Sequence, residues 1–249
     1  MYLKIKEIKA CAREQLLSHM WTAVFFTLFH ILLTNLCACC LVPPDTGSVM
    51  DLVFYELATL MIQLFGGLLQ AGIAYFYLNI ITGKKTAYVF DIFYAFSHNP
   101  DKALKFSLFL SLLNMICTLP YVIYTIYFMP DFAMTDLMNA DPEALKYLGI
   151  AYFILGIGQL VYFLIQLFFQ PVYYMLVDMP SLSVAKALKM SIWLMKGSKV
   201  RLLGLNLSFL PLQFVSLFTF GIGNLWLYPY MNAASACFYT DLSAKRLQK

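Results

Sequence analysis

Long uncharged apolar runs dominate the chain, and several could cross a lipid bilayer as helices. A helix of roughly 18 apolar residues or more spans a hydrocarbon core about 30 Å thick. The last apolar run, from Leu202 onwards, is too long for one helix, and Gly221 and Gly223 place a turn in its middle. The pattern therefore predicts six transmembrane helices, at about 20–42, 52–82, 106–129, 147–177, 202–220 and 222–240.

The distribution of positive charge agrees with six helices. That count puts 16 of the 17 Lys and Arg residues on one side of the membrane and leaves only Lys146 on the other. Because Lys and Arg concentrate in cytoplasmic loops, this side is the cytoplasmic one, and it receives both termini. The outer loops, 43–51 and 130–146, carry acidic residues instead. We therefore expect a multi-pass protein of the cell membrane with cytoplasmic N and C termini.

The composition excludes an ordinary soluble domain. Hydrophobic residues make up 61% of the chain and charged residues 12%, whereas soluble domains average about 45–50% and about 25%. The net charge of +4 comes from basic residues beside the ends of the predicted helices. Such residues bind anionic membrane lipid, so lipid is the expected partner and nucleic acid is not. The chain is predicted to form a single all-α domain over residues 1–249.

Three cytoplasmic segments have helical periodicity but are too short to cross a bilayer. They are residues 1–19, the segment 181–199 and a weaker stretch near residue 93. Their apolar stripes are Ile5, Ile8, Ala12 and Leu16; Val184, Leu188, Ile192 and Met195; and Val89, Phe93 and Phe96. Amphipathic helices of this kind lie in the membrane interface, where Trp21 and Trp193 are suitable anchors. They either cap the cytoplasmic end or, at 181–199, dock another membrane or cytoplasmic protein.

An internal repeat relates two parts of the chain at an offset of 99 positions. Tyr75 matches Tyr174 and Lys102 matches Arg201, within units at about 52–129 and 147–220. Both units run in the same direction, so the repeat is parallel, and the first and sixth helices are added outside it. Transporters place a site between such halves, although inert bundles use the same geometry.

The motifs of common enzymes and metal sites are missing from the sequence. We find no His-Glu-x-x-His, no Gly-x-Ser-x-Gly and no phosphate-binding glycine loop. The Cys37 to Cys40 cluster contains one Cys-x-x-Cys pair, but no second pair completes a tetrahedral metal site. We therefore expect no catalytic residue, cofactor or metal, and we interpret these cysteines as small apolar side chains.

Uncharged polar residues are the main chemistry of the predicted helices. His30 is the one titratable side chain expected at mid-depth, and carboxamides are spread over the other helices. Such side chains either bond neighbouring helices together or line a polar cavity. The candidate intramembrane polar residues are His30, Asn114, Gln159 and Gln166. Kinks are expected at Pro120, Pro171, Pro211 and Pro229, and close helix contacts at the glycines of the second and fourth helices.

The C-terminal stretch Gly221-Ile-Gly-Asn-Leu-Trp-Leu-Tyr-Pro-Tyr, with Phe238-Tyr-Thr-Asp-Leu, carries a family resemblance. Two further stretches match, at Ile8–Leu17 with Trp21 and at Ala187–Ser191 with Met195–Lys199. Together they resemble a bacterial integral membrane family known as domain of unknown function 975. The resemblance implies a multi-pass plasma-membrane protein, chiefly from Gram-positive bacteria, and implies no activity or ligand. From their position beside the turn, we predict that Trp226, Tyr228 and Tyr230 anchor the sixth helix at the outer interface.

Two classes of function fit these features. The first is a non-catalytic accessory or scaffold protein that binds lipid or another membrane protein, favoured by the scarcity of buried charge. The alternative is a small-solute permease with its site between the repeat halves, favoured by the repeat, the kinks and the amides. Substitution of His30, Asn114 and Gln166 would distinguish the two classes.

Overall fold

The computed structural model describes residues 2–39, 49–83, 88–128 and 142–246, and within them the regular structure is helical throughout. The helices are α1 (Ile5–Leu17), α2 (Met20–Cys39), α3 (Val49–Thr82), the 3₁₀ helix η1 (Val89–Phe93), α4 (Tyr94–Ser97), α5 (Pro100–Phe128), α6 (Pro142–Phe169), α7 (Val172–Asp178), α8 (Val184–Met195), α9 (Lys199–Leu207), α10 (Leu210–Leu217) and α11 (Asn224–Arg246). The predicted all-α class is confirmed.

Four stretches in this described part are long and apolar enough to cross a membrane. They are Val53–Thr82, Pro100–Phe128, Leu145–Asp178 and Lys199–Leu217. A fifth results if α1 and α2, which meet at an angle of 96°, are counted as one bent span. The helices are thus compatible with a membrane location. The count of six spans stays a prediction.

The helices α5 and α6 form an antiparallel pair at the outside of the bundle. Only 17% of the apolar window in α5 and 6% of that in the α6–α7 stretch is buried by protein. Large side chains such as Ile116, Phe153 and Leu160 are more than half exposed. An all-round apolar surface of this kind is typical of helices surrounded by lipid.

The C-terminal helix α11 is the centre of the fold. It packs against α1, α2, α3, α8 and α10, and most of its side chains from Ala233 to Leu242 are buried. The sequence predicts this helix as an addition outside the repeat, and the structure places it at the centre of the bundle. Its small alanine and serine side chains give five neighbouring helices room to approach, and a helix enclosed by protein does not need the apolarity of a lipid-facing one.

The N-terminal helix α1 has the predicted apolar stripe, but the stripe faces protein. Ile8 and Ala12 are 0% exposed and Leu16 is 1% exposed, and α1 packs mainly along α11. Midway along this contact, the Sγ atoms of Cys11 and Cys237 lie 3.0 Å apart. The spacing of apolar residues thus correctly predicts the helix and its apolar stripe, and the partner of that stripe is protein. The interfacial position expected for α1 stays a prediction.

Tyr2 and Arg246, the first and last residues that the structure describes, lie at one end of the bundle. Arg246 Nε donates a hydrogen bond to the Tyr2 hydroxyl at 3.1 Å, and Arg201 and Lys245 both pair with Asp241. At the same end, Lys102 at the start of α5 donates to the carbonyl of Pro180 before α8. We call this the basic end, defined by Tyr2, Lys102, Arg201, Asp241, Lys245 and Arg246.

Two other amphipathic segments also lie against the bundle. In η1 and α4, Ile92 and Ala95 are buried, while the predicted stripe of Val89, Phe93 and Phe96 is 38–45% exposed. The rings of Phe93 and Phe96 also contact Phe29 and Phe65 edge to face. In α8, Ala187, Leu194 and Met195 are buried, whereas Ile192 and Trp193 are 47% and 51% exposed. Each segment therefore has one face on protein and apolar side chains on the other.

The prolines divide into two kinds. Pro171 lies at the break between α6 and α7, and Pro211 lies in the first turn of α10, directly after its break from α9. Pro120 and Pro229 lie inside the continuous helices α5 and α11. Two of the four predicted interruptions therefore coincide with helix breaks. The predicted turn after α10 is also present, with Phe220 and Gly221 at positive φ.

Gly72 allows the closest approach between α3 and η1, and its replacement is expected to destabilise the protein. A Cβ atom at Gly72 would lie 2.0 Å from the Ile92 carbonyl oxygen, which is backbone. We expect Gly72→Ala to lower the free energy of unfolding by about 1–3 kcal/mol, the usual cost of overpacking. Thermal unfolding of the detergent-purified protein would measure it.

Gly156 provides the matched control, since nothing lies within 4 Å of a Cβ built there. Gly156→Ala is expected to leave stability unchanged or to raise it by up to about 1 kcal/mol, the difference in helix propensity. Equal melting temperatures for the two variants would contradict the contact between α3 and η1.

Several predicted features lie outside the described residues. They are Cys40, Lys84, Lys85, Lys249 and most of the two outer loops. Asn35, Cys37 and Cys39 belong to the last turns of α2, where the structure describes the backbone but not the side chains.

Candidate functional site

A cavity of about 800 Å³ lies between the helices of the bundle and is the candidate functional site. It is open on one side, where lining residues such as Leu207 and Leu210 are about half exposed. Its walls come from α3 and α5 on one side, α6 and α7 on another, and α9 to α11 on a third, with His30 from α2. The lining residues of α3 lie between Ile62 and Ala74, in the middle of that helix, and those of α5 lie between Phe106 and Asn114, in its first half. The cavity therefore lies within the length of two candidate spans.

Carboxamides are the most frequent polar groups in the wall. Eight line the cavity, from six helices and one helix break: Gln63, Gln70, Asn114, Gln166, Gln170, Asn206, Gln213 and Asn232. They are far apart in sequence, and the tertiary structure brings them around one space. Both roles that the sequence leaves open for intramembrane amides are observed, since all eight line the cavity and some, such as Asn114 and Gln170, also bond to a neighbouring helix.

Helical spacing accounts for the polar stripes on α3 and α5. Gln63, Gly67 and Gln70 are separated by four and three residues, as are Ser107, Ser111 and Asn114, so each set shares one face. Gly67 brings the two faces together, because a Cβ there would lie 2.2 Å from the Ser107 Oγ atom. The Ser107 Oγ atom instead donates a hydrogen bond to the main-chain carbonyl of Gln63 at 2.9 Å.

The break between α6 and α7 supplies a second wall. Gln170 lies in the break, and its Nε2 atom donates to Ser235 Oγ on α11 at 2.8 Å. One helical turn later, the Tyr174 hydroxyl donates a hydrogen bond to the main-chain carbonyl of Asn232 at 3.3 Å. These bonds fasten the broken helix to the central helix and leave the nearby Gln166 side chain facing the cavity.

The break between α9 and α10 supplies the third wall and is supported by α1. Asn206, Leu210 and Gln213 line the cavity around this break. On its other side, Lys9 Nζ donates to the Ser208 carbonyl at 2.9 Å and lies 4.1 Å from the centre of the Phe209 ring. Lys9 thus satisfies a carbonyl that the end of α9 leaves free, in the manner of a basic C-cap.

The four candidate polar residues of the sequence analysis do not all reach the site. His30, Asn114 and Gln166 line the cavity. Gln159 lies on the exposed face of α6, outside the lining, and its Nε2 atom donates to Asn114 Oδ1 at 3.3 Å. Gln159 therefore contacts a lining residue without facing the cavity itself.

Four of the five candidate anchors are exposed, as an interfacial position requires. Trp21 is 80% exposed, Trp193 51%, Trp226 46% and Tyr228 39%. Tyr230 instead points into the bundle: its ring meets Phe209 edge to face at 5.1 Å, and its hydroxyl donates to the Lys9 carbonyl at 3.3 Å. In the structure Tyr230 joins α11 to α1.

Several residues that line the cavity were not predicted from the sequence. Ser107 and Ser111 could have been found from their helical spacing with Asn114. Tyr162, Tyr173 and Asn232 carry no such signal, because their side chains suit a helix contact as well as a cavity. Only the packing of α7 and α11 shows that they face the same space as the glutamines.

The wall of the cavity carries no Asp, Glu, Lys or Arg among the described residues. Within the same ranges, no group of three His, Cys, Asp or Glu side chains could hold a metal ion. The chemistry of the site is therefore hydrogen bonding by neutral donors and acceptors, next to aromatic rings such as Phe106 and Tyr173, which meet edge to face at 4.7 Å.

The family was identified by comparison with known proteins. A family model described as "Protein of unknown function (DUF975)" matches residues 1–246. No curated protein and no solved structure matches the chain. Because the family match covers nearly every residue, the resemblance seen in the C-terminal signature is confirmed. The chain belongs to the DUF975 family of proteins of unknown function.

Proposed function

We propose that this protein is an integral membrane protein that binds small polar solutes in its central cavity and conducts them across the bilayer. The observation that carries the proposal is the set of eight carboxamides around one cavity of about 800 Å³. Of the two classes that fit the sequence, this geometry favours the permease over the accessory protein, since an accessory protein needs no polar interior.

The hydrogen bonding of these amides supports a ligand. Amides inside membrane bundles usually pair across helices, for about 0.6 kcal/mol each. Here the side-chain amides of Gln63, Gln70, Gln166 and Asn206 make no hydrogen bond to another described residue. A polar group away from water is costly unless it finds a partner. Water and a passing polar solute are suitable partners.

Six crossings are part of the proposal. Because Tyr2 and Arg246 are in contact, the termini lie on the same side and the number of crossings is even. The four long apolar stretches together with α2 and α11 make six. The basic end then faces the cytoplasm, in agreement with the charge distribution.

The parallel repeat is also part of the proposal. Helix α5 begins at Pro100 and α9 at Lys199, 99 positions later, and each follows short helices at the basic end. The cavity lies between the unit containing α3 and α5 and the unit containing α6 to α10. Transporters built from repeats bind their substrates in this position, often beside broken helices such as α6–α7 and α9–α10.

Flux through proteoliposomes tests the proposal. The full chain would be reconstituted, and entry of glycerol and urea followed by stopped-flow light scattering. We expect both solutes to enter faster than they enter protein-free liposomes. In Asn114→Leu and Gln166→Leu the protein-dependent part of the entry rate should fall at least about tenfold, because an apolar side chain removes a hydrogen-bonding partner.

Gln15→Leu is the matched control, since Gln15 carries the same amide on the exposed face of α1, outside the lining. It is expected to retain flux. Equal flux in liposomes with and without the wild-type protein would overturn the proposal. A loss of monomeric protein on size exclusion would assign a variant's effect to folding.

The accessory function is the second candidate, supported by the exposed side chains of α8. Ile192 and Trp193 form an apolar patch beside Arg246, whose guanidinium lies 5.7 Å from the Trp193 ring. Cross-linking in native membranes, followed by mass spectrometry, would test for a partner. A stoichiometric partner lost when residues 181–199 are scrambled would support this function, and recovery of the protein alone would remove it.

A further inference from the structure

The cavity has a specific electrostatic character that defines what it can accept. Its wall consists of carboxamides, hydroxyls, one imidazole, aromatic rings and aliphatic side chains. The charged groups that the structure describes nearby, such as Lys9, Asp178 and Asp241, do not line it. An ion entering this space would lose hydration without meeting an opposite charge, which is strongly unfavourable. A neutral polar solute loses only hydrogen bonds to water, which the amides of the wall can replace.

The number of available hydrogen bonds favours a ligand with many polar groups. Each carboxamide offers two N–H donors and a carbonyl acceptor. Gln63 and Gln70 lie on one wall, Gln166 on a second and Asn206 on a third, and none of these four amides is bonded to a described side chain. A solute with hydroxyl or amide groups on several sides can bond to all three walls at once. A solute with one polar group leaves most of them unpaired.

The aromatic rings in the wall and the volume of the cavity restrict the class of solute further. The rings of Phe106, Tyr162, Phe163, Phe169 and Tyr173 line the same space. Ring faces pack well on the apolar faces of sugar rings, while the amides bond to the hydroxyls at the edges. The volume of about 800 Å³ lies in the upper part of the range of about 300–1,000 Å³ known for small-molecule pockets.

From these properties we infer that the cavity is selective for uncharged, multiply hydrogen-bonding solutes of about the size of a sugar or nucleoside, and that it excludes ions. This inference rests on the proposed function and specifies its substrate class. The selectivity resides in the neutral wall, so a single carboxylate in the wall should change it.

A set of three sugars with one ring size tests the charge dependence. The probes, used at about pH 6, are N-acetylglucosamine, which is neutral, glucosamine, whose amine has a pKa near the α-amino value of about 7.7–8.0 and is then almost fully cationic, and glucuronate, which is anionic. Uptake of each radiolabelled probe into proteoliposomes is compared with protein-free liposomes. We expect the neutral sugar to enter at least about tenfold faster than either charged one, because of the cost of an uncompensated charge.

A second experiment introduces a negative charge into the cavity wall. Gln166→Glu is expected to shift the ratio of glucosamine to N-acetylglucosamine uptake upward by at least about tenfold, because the carboxylate compensates the ammonium group. Gln15→Glu, on the exposed face of α1 and outside the lining, is the control and should leave the ratio unchanged.

The outcomes separate the inference from the proposed function. If glycerol and urea enter but N-acetylglucosamine does not, or if the charged sugars enter as fast as the neutral one, the inference is wrong and conduction still stands. If no solute enters faster than in empty liposomes, the proposed function is wrong and the inference falls with it.

Discussion

Asp241→Asn is expected to lower the free energy of unfolding by about 3 kcal/mol, because it leaves Arg201 and Lys245 without their shared carboxylate. The Asp241 side chain is 3% exposed and pairs with both basic groups. Its oxygens also accept hydrogen bonds from the Leu3 amide at 3.2 and 3.4 Å. One carboxylate thus joins the N terminus, α9 and the end of α11.

The magnitude follows from the burial of the partners. Removing one member of a fully buried pair costs about 3–5 kcal/mol. The Arg201 and Lys245 side chains keep 17% and 32% of their exposure, so water compensates part of the loss and the lower end of the range applies. The Nε and Nη1 atoms of Arg201 are buried without a hydrogen bond among the described residues, which raises its dependence on Asp241.

Thermal unfolding of detergent-purified protein would measure the loss, with Glu14→Gln as the control. Glu14 lies on the exposed face of α1, and its substitution is expected to change stability by less than about 0.5 kcal/mol. If Asp241→Asn unfolds at the temperature of the wild type, the junction between the termini and α9 does not contribute to stability.

The effect depends on pH in a defined direction. Burial by itself raises the pKa of Asp241, but hydrogen bonds and charge from Lys245 and Arg201 outweigh it and hold the pKa below its ordinary value of 3.8. A lowered pKa in the folded state stabilises the protein above the unfolded value and loses this contribution as pH falls through the folded value. The stability difference between wild type and Asp241→Asn should therefore be constant near neutral pH and shrink below pH 3.8.

Phe209→Ala is expected to cost about 3–5 kcal/mol, the range for removing a buried aromatic side chain. Phe209 is 1% exposed and lies at the break between α9 and α10. Its ring contacts Tyr230 edge to face, and the Lys9 ammonium lies over it. The variant would therefore loosen α1 from the cavity wall as well as leave an internal void.

Phe218→Ala is the matched control, because Phe218 follows the same helix pair but is 75% exposed. Its replacement should change stability in detergent by less than about 0.5 kcal/mol. Melting temperatures of both variants, measured with the wild type, would decide the matter. A similar loss for the two residues would contradict the placement of α1 against the break.

Much of the secondary structure follows from the spacing of apolar residues. The stripe of Ile8, Ala12 and Leu16 predicts α1, and the glycines after Phe220 predict the turn before α11. Local patterns suffice here because helix periodicity and turn chemistry depend on neighbours within a few residues. They do not reveal whether the apolar partner is lipid or protein, so the position of α1 on α11 was not predictable.

The residues of the candidate site were also predictable from the sequence only in part. His30, Asn114 and Gln166 were identified from the sequence because a polar side chain within an apolar run is rare and costly. The exclusion of Gln159 from the lining, and the inclusion of Asn232 and Tyr173, depend on how each helix is rotated and which helices face each other. Tyr230 shows the same limit, since its helix turns it toward Lys9 instead of an interface.

The helical class, the long apolar spans and the family signature are properties of residues close together in the chain, and they could be recognised without a structure. The central position of α11, the pairing of Asp241 with Arg201 and the gathering of eight amides around one cavity are not. They join residues far apart in the chain, as Leu3 and Asp241 show with 238 positions between them. Contacts at such separations arise from the packing of whole helices, which no local pattern specifies.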